Sequence, residues 1–235
     1  MARFVLVHGA FHGAWCWDPL VAELEAKGHE VIAVDLPGHG DDPTPDEDVT
    51  LAGASAALCA VLRNGRPAIL VSHSMGGVVC TQAASDCPEH VERLVYVTAY
   101  IPTSGERLAD LAKFPENEGD QVVPNMIVER PVATFPPEKA ADVFYPLCTD
   151  EQAQAAAARL CPSPLSLFGT PLSLNGVQPP PAAFVTCEQD RAVPIALQRM
   201  MLERRGCTDV LELDTDHSPF MSKTAELAAF LDSLA

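Results

Sequence analysis

The chain is short of basic residues. Its 235 residues include 15 Lys and Arg against 32 Asp and Glu, a formal net charge of −17. That balance excludes an electrostatic grip on nucleic acid or on an anionic bilayer, because both would be repelled. It also counts against a strongly anionic small-molecule partner. The N-terminus has no basic stretch, no following apolar run and no small-residue cleavage site, so a cytoplasmic protein is expected. No apolar run reaches bilayer-spanning length, and no membrane partner is expected. Among eight cysteines there is no C-x-x-C, and no His or Cys pair at ligand spacing is backed by a second pair. Neither a metal nor an organic cofactor is expected. Cys59, Cys80 and Cys187 fall within expected helices or strands and read as buried free thiols.

Up to about Tyr100 the chain alternates short apolar runs with amphipathic ones. Residues 3–7, 30–34, 68–72 and 93–99 read as strands buried on both faces. Pro19 to Lys27 and Thr50 to Arg63 read as helices, with Thr50 as an N-cap. This alternation implies an α/β fold, a mainly parallel sheet with helices on both faces. The acidic run Asp41 to Asp48 reads as a solvated loop. Of 21 prolines, 13 lie between Ile101 and Pro181, a density that excludes long regular elements. Residues 103–178 therefore read as a cap inserted into a core formed by 1–102 and 179–235. Within the cap, Thr149 to Leu160 has strong helical propensity, and 136–145 reads as a second helix. Helices are expected again at about 194–204 and 218–233.

The most informative segment is Val71-Ser72-His73-Ser74-Met75-Gly76-Gly77, directly after the apolar Ala68-Ile69-Leu70. A buried strand entering small-x-Ser-x-small is the pattern of a nucleophile elbow, with Ser72 in place of the usual first glycine. Acyl transfer needs two amide donors for its oxyanion. The amide of Met75, the residue after the serine, is one candidate. The small-residue loop His8-Gly9-Ala10-Phe11-His12-Gly13, after the first strand, offers the other. Two later strand candidates end in useful loops. Phe184 to Cys187 leads to Asp190, and Val210 to Leu213 leads to His217. The order Ser74, Asp190, His217 suits this architecture. Of the seven histidines, only His217 follows the candidate acid. His29 and His90 read as surface groups, His8 and His12 as shaping the first loop, and His39 as a turn residue. Asp190 is preferred over Asp214 and Asp216, which are too close to His217 along the chain to reach its far ring nitrogen.

Together with Trp15-Cys16-Trp17, Asp35-Leu36-Pro37-Gly38-His39-Gly40, Phe144-Tyr145 and Ser166-Leu167-Phe168, these pieces resemble an α/β-hydrolase. The resemblance is strongest to the plant methylesterase and hydroxynitrile lyase group with its bacterial esterase relatives. It spans nearly the whole chain and is weakest between about 103 and 180. It implies Ser74 as nucleophile, His217 as general base, Asp190 as its orienter, and the amides of Ala10 and Met75 as the oxyanion hole. The lyases of that group resemble His-Thr in the first loop and His-Lys at the triad histidine. Gly9 and Ser218 stand at those places, so ester hydrolysis is expected over carbon–carbon cleavage. Gly9, leaving room for the tetrahedral intermediate, Phe11, and the cap residues Phe135 and Phe144 are candidates for substrate contact. Trp15 and Trp17 read as packing.

The expected activity is hydrolysis of a small to medium, mostly neutral or aromatic carboxylic ester through an acyl-enzyme. A lactone or thioester would use the same chemistry, and a small-molecule receptor on the same fold is the non-enzymatic alternative. The oligomeric state is left open, a homodimer included.

Overall fold

The first four strands are β1 (Arg3–Val7), β2 (Glu30–Val34), β3 (Ala68–His73) and β4 (Val91–Val97). In this computed structural model, which describes residues 1–176 and 179–235, they belong to one six-stranded sheet. Three short strands follow in the insertion: β5 (Ile127–Glu129), β6 (Val132–Thr134) and β7 (Ser163–Pro164). Then β8 (Ala182–Cys187) and β9 (Asp209–Leu213) return to the main sheet, whose order is β2-β1-β3-β4-β8-β9. Every pairing in that sheet is parallel.

Successive strand residues face opposite sides of a sheet, so a strand buried on both faces feeds two cores. In β1, Val5 and Val7 join one core while Phe4 and Leu6 join the other. The first core is closed by α2 (Leu51–Arg63), α3 (Gly76–Asp86) and α8 (Ile195–Arg205), through Leu58, Val79 and Met201 among others. The second is closed by α1 (Asp18–Ala26) and α10 (Thr224–Ser233), through Leu20, Leu24, Leu227 and Leu231. Fully burying each such side chain stabilises the fold by roughly 1.5–3 kcal/mol. Thr50 caps α2 as expected, its hydroxyl accepting from the Gly53 amide at 3.0 Å. Among the described residues no helix is long and apolar enough to cross a membrane.

Between β4 and β8 the chain builds a separate layer. It holds α4 (Leu108–Leu111), α5 (Pro137–Phe144), α6 (Asp150–Ala157) and α7 (Ser166–Gly169), with β5, β6 and β7 in a small antiparallel sheet. A third apolar cluster, with Phe135, Phe144, Tyr145 and Ala156, joins this layer to Phe11 and Ala192 of the core. The expected end of the cap at 178 lies outside the described residues.

Three expectations need correction. Cys59 is not a free thiol; it forms a disulfide with Cys87, 28 residues on. Packing of α2 beside α3 makes that pairing, and nothing local in the sequence announces it. His29 is no surface group. It is buried, accepts from the Ala2 amide at 3.1 Å and meets Asp232 at 3.0 Å, so it ties the start of β1 to α10. The helix expected over 218–233 is two helices, α9 (Pro219–Ser222) and α10, parted at Lys223, whose φ of −139° leaves the helical region.

Candidate active site

β1 and β3 lie side by side in the sheet, and strand order reverses between them. Ligands of open parallel sheets bind beyond the carboxyl ends of strands at such a point. The loops after β1, β3, β8 and β9 all emerge at that edge, and they carry the first loop, Ser74, Asp190 and His217.

Ser74 links β3 to α3 with φ of +50°, a left-handed conformation that a non-glycine residue adopts only under constraint. The constraint is visible in the packing. The Ser74 carbonyl accepts from the amides of Gly77 at 3.1 Å and Tyr100 at 3.0 Å. A Cβ on Gly76 would meet the His8 carbonyl oxygen at 2.5 Å, and one on Gly77 the Tyr100 carbonyl oxygen. The first turn of α3 thus lies too close to the backbone at the ends of β1 and β4 for any larger residue. Ser72 is accommodated because its hydroxyl donates to the Val95 carbonyl at 3.2 Å.

His217 follows β9 and is buried. Its Nδ1 lies 2.7 Å from Oδ2 of Asp190, which follows β8. The carboxylate is saturated: Oδ1 accepts from the amides of Ala192 at 2.7 Å and Val193 at 2.8 Å, and Oδ2 from the Thr98 hydroxyl at 2.5 Å. An acceptor-only carboxylate makes Nδ1 the protonated nitrogen and leaves Nε2 with its lone pair. The rivals are engaged elsewhere. Asp214 accepts from Gln189, and Asp216 accepts from the amides of Leu147 and Ser218 and the Ser222 hydroxyl.

The first loop is held by three buried histidines. His8 lies 2.8 Å from the Gly9 carbonyl and its Nε2 accepts from the Leu36 amide. His12 lies 2.7 Å from the Ala10 carbonyl and 2.6 Å from the Tyr145 hydroxyl. His39 is 2.8 Å from the Ser163 hydroxyl, which also accepts from the Phe11 amide at 2.7 Å. Burial pushes His12 and His39 down to about 4. It also lowers His8, and His73 behind Ser74, well below the usual range. All four are neutral at neutral pH, and each side chain is therefore a positioning group and not a charge. Among the described residues the amides of Ala10 and Met75 make no hydrogen bond.

Ala10, Phe11, Ser74, Met75, Phe144 and His217 line a single cavity of about 560 Å³. The insertion supplies most of its remaining wall, with Leu108, Met126, Leu165 and Phe168.

Residues 4–230 match the model of the alpha/beta hydrolase family. The chain belongs to that family. It is similar to Methylesterase 7 of Arabidopsis thaliana, 35% identical over 99% of this chain and 96% of that protein. Norfluorocurarine synthase 2 of a Strychnos species is 33% identical over 97% of this chain and 93% of its own. The crystal structure of a pyrethroid hydrolase from Sphingobium faniae JZ-2 superposes with a TM-score of 0.89, at 25% identity, over 99% of this chain and 96% of the other.

In this α/β-hydrolase two residues read from the sequence as substrate contacts are not on the cavity wall. A Cβ on Gly9 would come 2.7 Å from Ser74 Cβ and 2.8 Å from His73 Nδ1. The glycine makes room for those two side chains. Phe135 is buried behind Phe144, 4.6 Å between ring centroids, and stiffens the wall from outside. Thr98 and Ser163 escaped the sequence reading because each meets its partner only through the fold. The sole local sign at Thr98 is its φ of +40°, which no sequence pattern shows.

Proposed function

We propose that this α/β-hydrolase is a serine-dependent carboxylic ester hydrolase. The reading is supported above all by one observation: a strained Ser74 and a histidine locked by Asp190 open onto the same apolar cavity. Its esterase class is supported by relatives named methylesterase and pyrethroid hydrolase.

In the proposed reaction His217 Nε2 takes the Ser74 proton as Oγ attacks the ester carbonyl. The amides of Ala10 and Met75 receive the oxyanion, a contribution of about 2.7–4 kcal/mol per donor. The ester C–O bond breaks, the alcohol leaves with the His217 proton, and water cleaves the acyl-enzyme to the acid. Asp190 holds the imidazole tautomer and stabilises the imidazolium. Residues 103–178 act as the cap, with Phe11 and Phe144 against the substrate. Small to medium esters with an apolar or aromatic body suit the wall. Lactones and thioesters would react by the same steps.

The test is hydrolysis of p-nitrophenyl esters from acetate to decanoate, with Ser74→Ala in parallel. Turnover is expected, with kcat reduced about 10⁶-fold in the variant. Wild-type rates in Ser74→Ala would overturn the assignment. Tight ligand binding without turnover of any ester would make the protein a receptor. Cyanide release from mandelonitrile would favour a lyase, against the absence of a cation at Ser218.

A further inference from the structure

Three charged side chains line the cavity, Arg107, Lys113 and Arg130, and all three are cations. In a chain where acids outnumber bases 32 to 15, a random wall would carry mostly carboxylates, yet the described wall has none. Arg107 precedes α4, Lys113 follows it, and Arg130 lies in the turn between β5 and β6. All three are exposed, which puts them at the mouth, while Ser74 and His217 are buried at the inner end. Among the described residues Arg107 and Arg130 make no ion pair, and Lys113 makes only an exposed contact with Asp110 at 3.5 Å. Glu106, next to Arg107, is taken by Arg204 through two contacts of 2.7 and 2.8 Å. Between mouth and serine the wall is apolar, with Leu108, Ala112, Val122, Met126 and Phe168.

We infer that the substrates are esters bearing a second, ionised carboxylate, separated from the scissile bond by an apolar stretch. The inference rests on the hydrolase reading above and names its substrate class. Hydrocarbon fills the apolar passage, and the carboxylate meets guanidinium groups whose forked donors match it. The acid released by hydrolysis forms beside Ser74, at the buried end, and so does not account for cations at the mouth. The net charge of −17 does not oppose this arrangement. Salt screens charges beyond about 8–10 Å, so a ligand at the mouth responds to the groups around it more than to the sum over the chain. The expectation of a mostly neutral substrate is revised accordingly.

Two pairs matched in carbon count test the inference. One compares mono-p-nitrophenyl suberate with p-nitrophenyl octanoate, placing the carboxylate on the acyl arm. The other compares the hexanoate ester of ω-hydroxyhexanoate with hexyl hexanoate, placing it on the alcohol arm. At low salt, kcat/KM is expected to favour the anionic member of at least one pair by about tenfold, the size of a few partly exposed charge contacts. The pair that shows it identifies the arm that reaches the mouth. Raising NaCl to about 0.5 M should bring the ratio towards one. R107Q/R130Q should do the same, whereas K27Q/R63Q, an equal change of net charge elsewhere, should leave the ratio as in the wild type. Preference for the neutral member in both pairs, or a ratio retained in R107Q/R130Q, overturns the inference while the hydrolase reading stands. Hydrolysis of none of the four esters, together with none in the p-nitrophenyl series, overturns both.

Discussion

The hydroxyl of Ser163 accepts the Phe11 amide at 2.7 Å across 152 residues of chain. Phe11 has φ of +66° and neighbours Ala10, so the insertion fixes the backbone of the first loop where the proposed oxyanion donor sits. The same hydroxyl meets His39 at 2.8 Å, and with both contacts made it has one settled orientation.

Removing that anchor should loosen the donor more than the substrate pocket. Ser163→Ala is expected to lower kcat by about 3–10-fold, the worth of one hydrogen bond, with KM nearly unchanged. Steady-state kinetics with a thermal melt separates the cases: a lower Tm with unaltered kcat would make Ser163 a purely structural group.

Asp190→Asn probes the tautomer. The amides of Ala192 and Val193 would hold the asparagine oxygen where Oδ1 now sits, turning its NH₂ towards His217 Nδ1. That nitrogen would become an acceptor, and the proton would move to Nε2, where a base is needed. A loss in kcat of about 10⁴ is expected with the fold intact. Circular dichroism and single-turnover kinetics check both halves.

Gly9→Ala places a Cβ within 2.7 Å of Ser74 Cβ. The serine must shift, and a displacement of about 1 Å can cost about a hundredfold in rate. Overpacking should also destabilise the fold by about 1–3 kcal/mol. Unchanged kcat and Tm would show that the elbow has slack the packing denies.

Acid should unfold the protein through its buried histidines. His12 and His39 are pushed down to about 4, and His8 and His73 are also lowered, by burial. The unfolded chain, with histidine near 6.5, binds more protons over that interval. Their contribution is therefore full above about pH 6.5 and is lost as pH falls towards about 4. Denaturant titrations between pH 7 and 4 should show falling stability, and His39→Gln should flatten part of the slope. A flat profile in the wild type would contradict the buried neutral assignment.

Much of the fold was legible in the chain because its signals are local. The apolar runs at β1, β3 and β4 and the Thr50 cap each report on neighbours a few residues away. Ser74 itself was legible because the turn it occupies restricts the residues on both sides. Sequence order and elimination among the histidines singled out Asp190 and His217, which the fold brings to 2.7 Å. The small sheet of β5 to β7 was not legible, since strands of two or three residues carry no period.

By itself, then, the sequence determined the alternation of strands and helices and the tight turn at Ser74, both written in short-range patterns of size and polarity. Only the tertiary structure decided which distant residues meet. Ser163 under Phe11, Thr98 beside Asp190, the Cys59–Cys87 bridge and three cations around one mouth are meetings of residues distant in the chain. Such meetings are set by packing across a sheet and leave no periodicity behind, and net charge, a sum without positions, pointed away from the cationic mouth that the fold assembles.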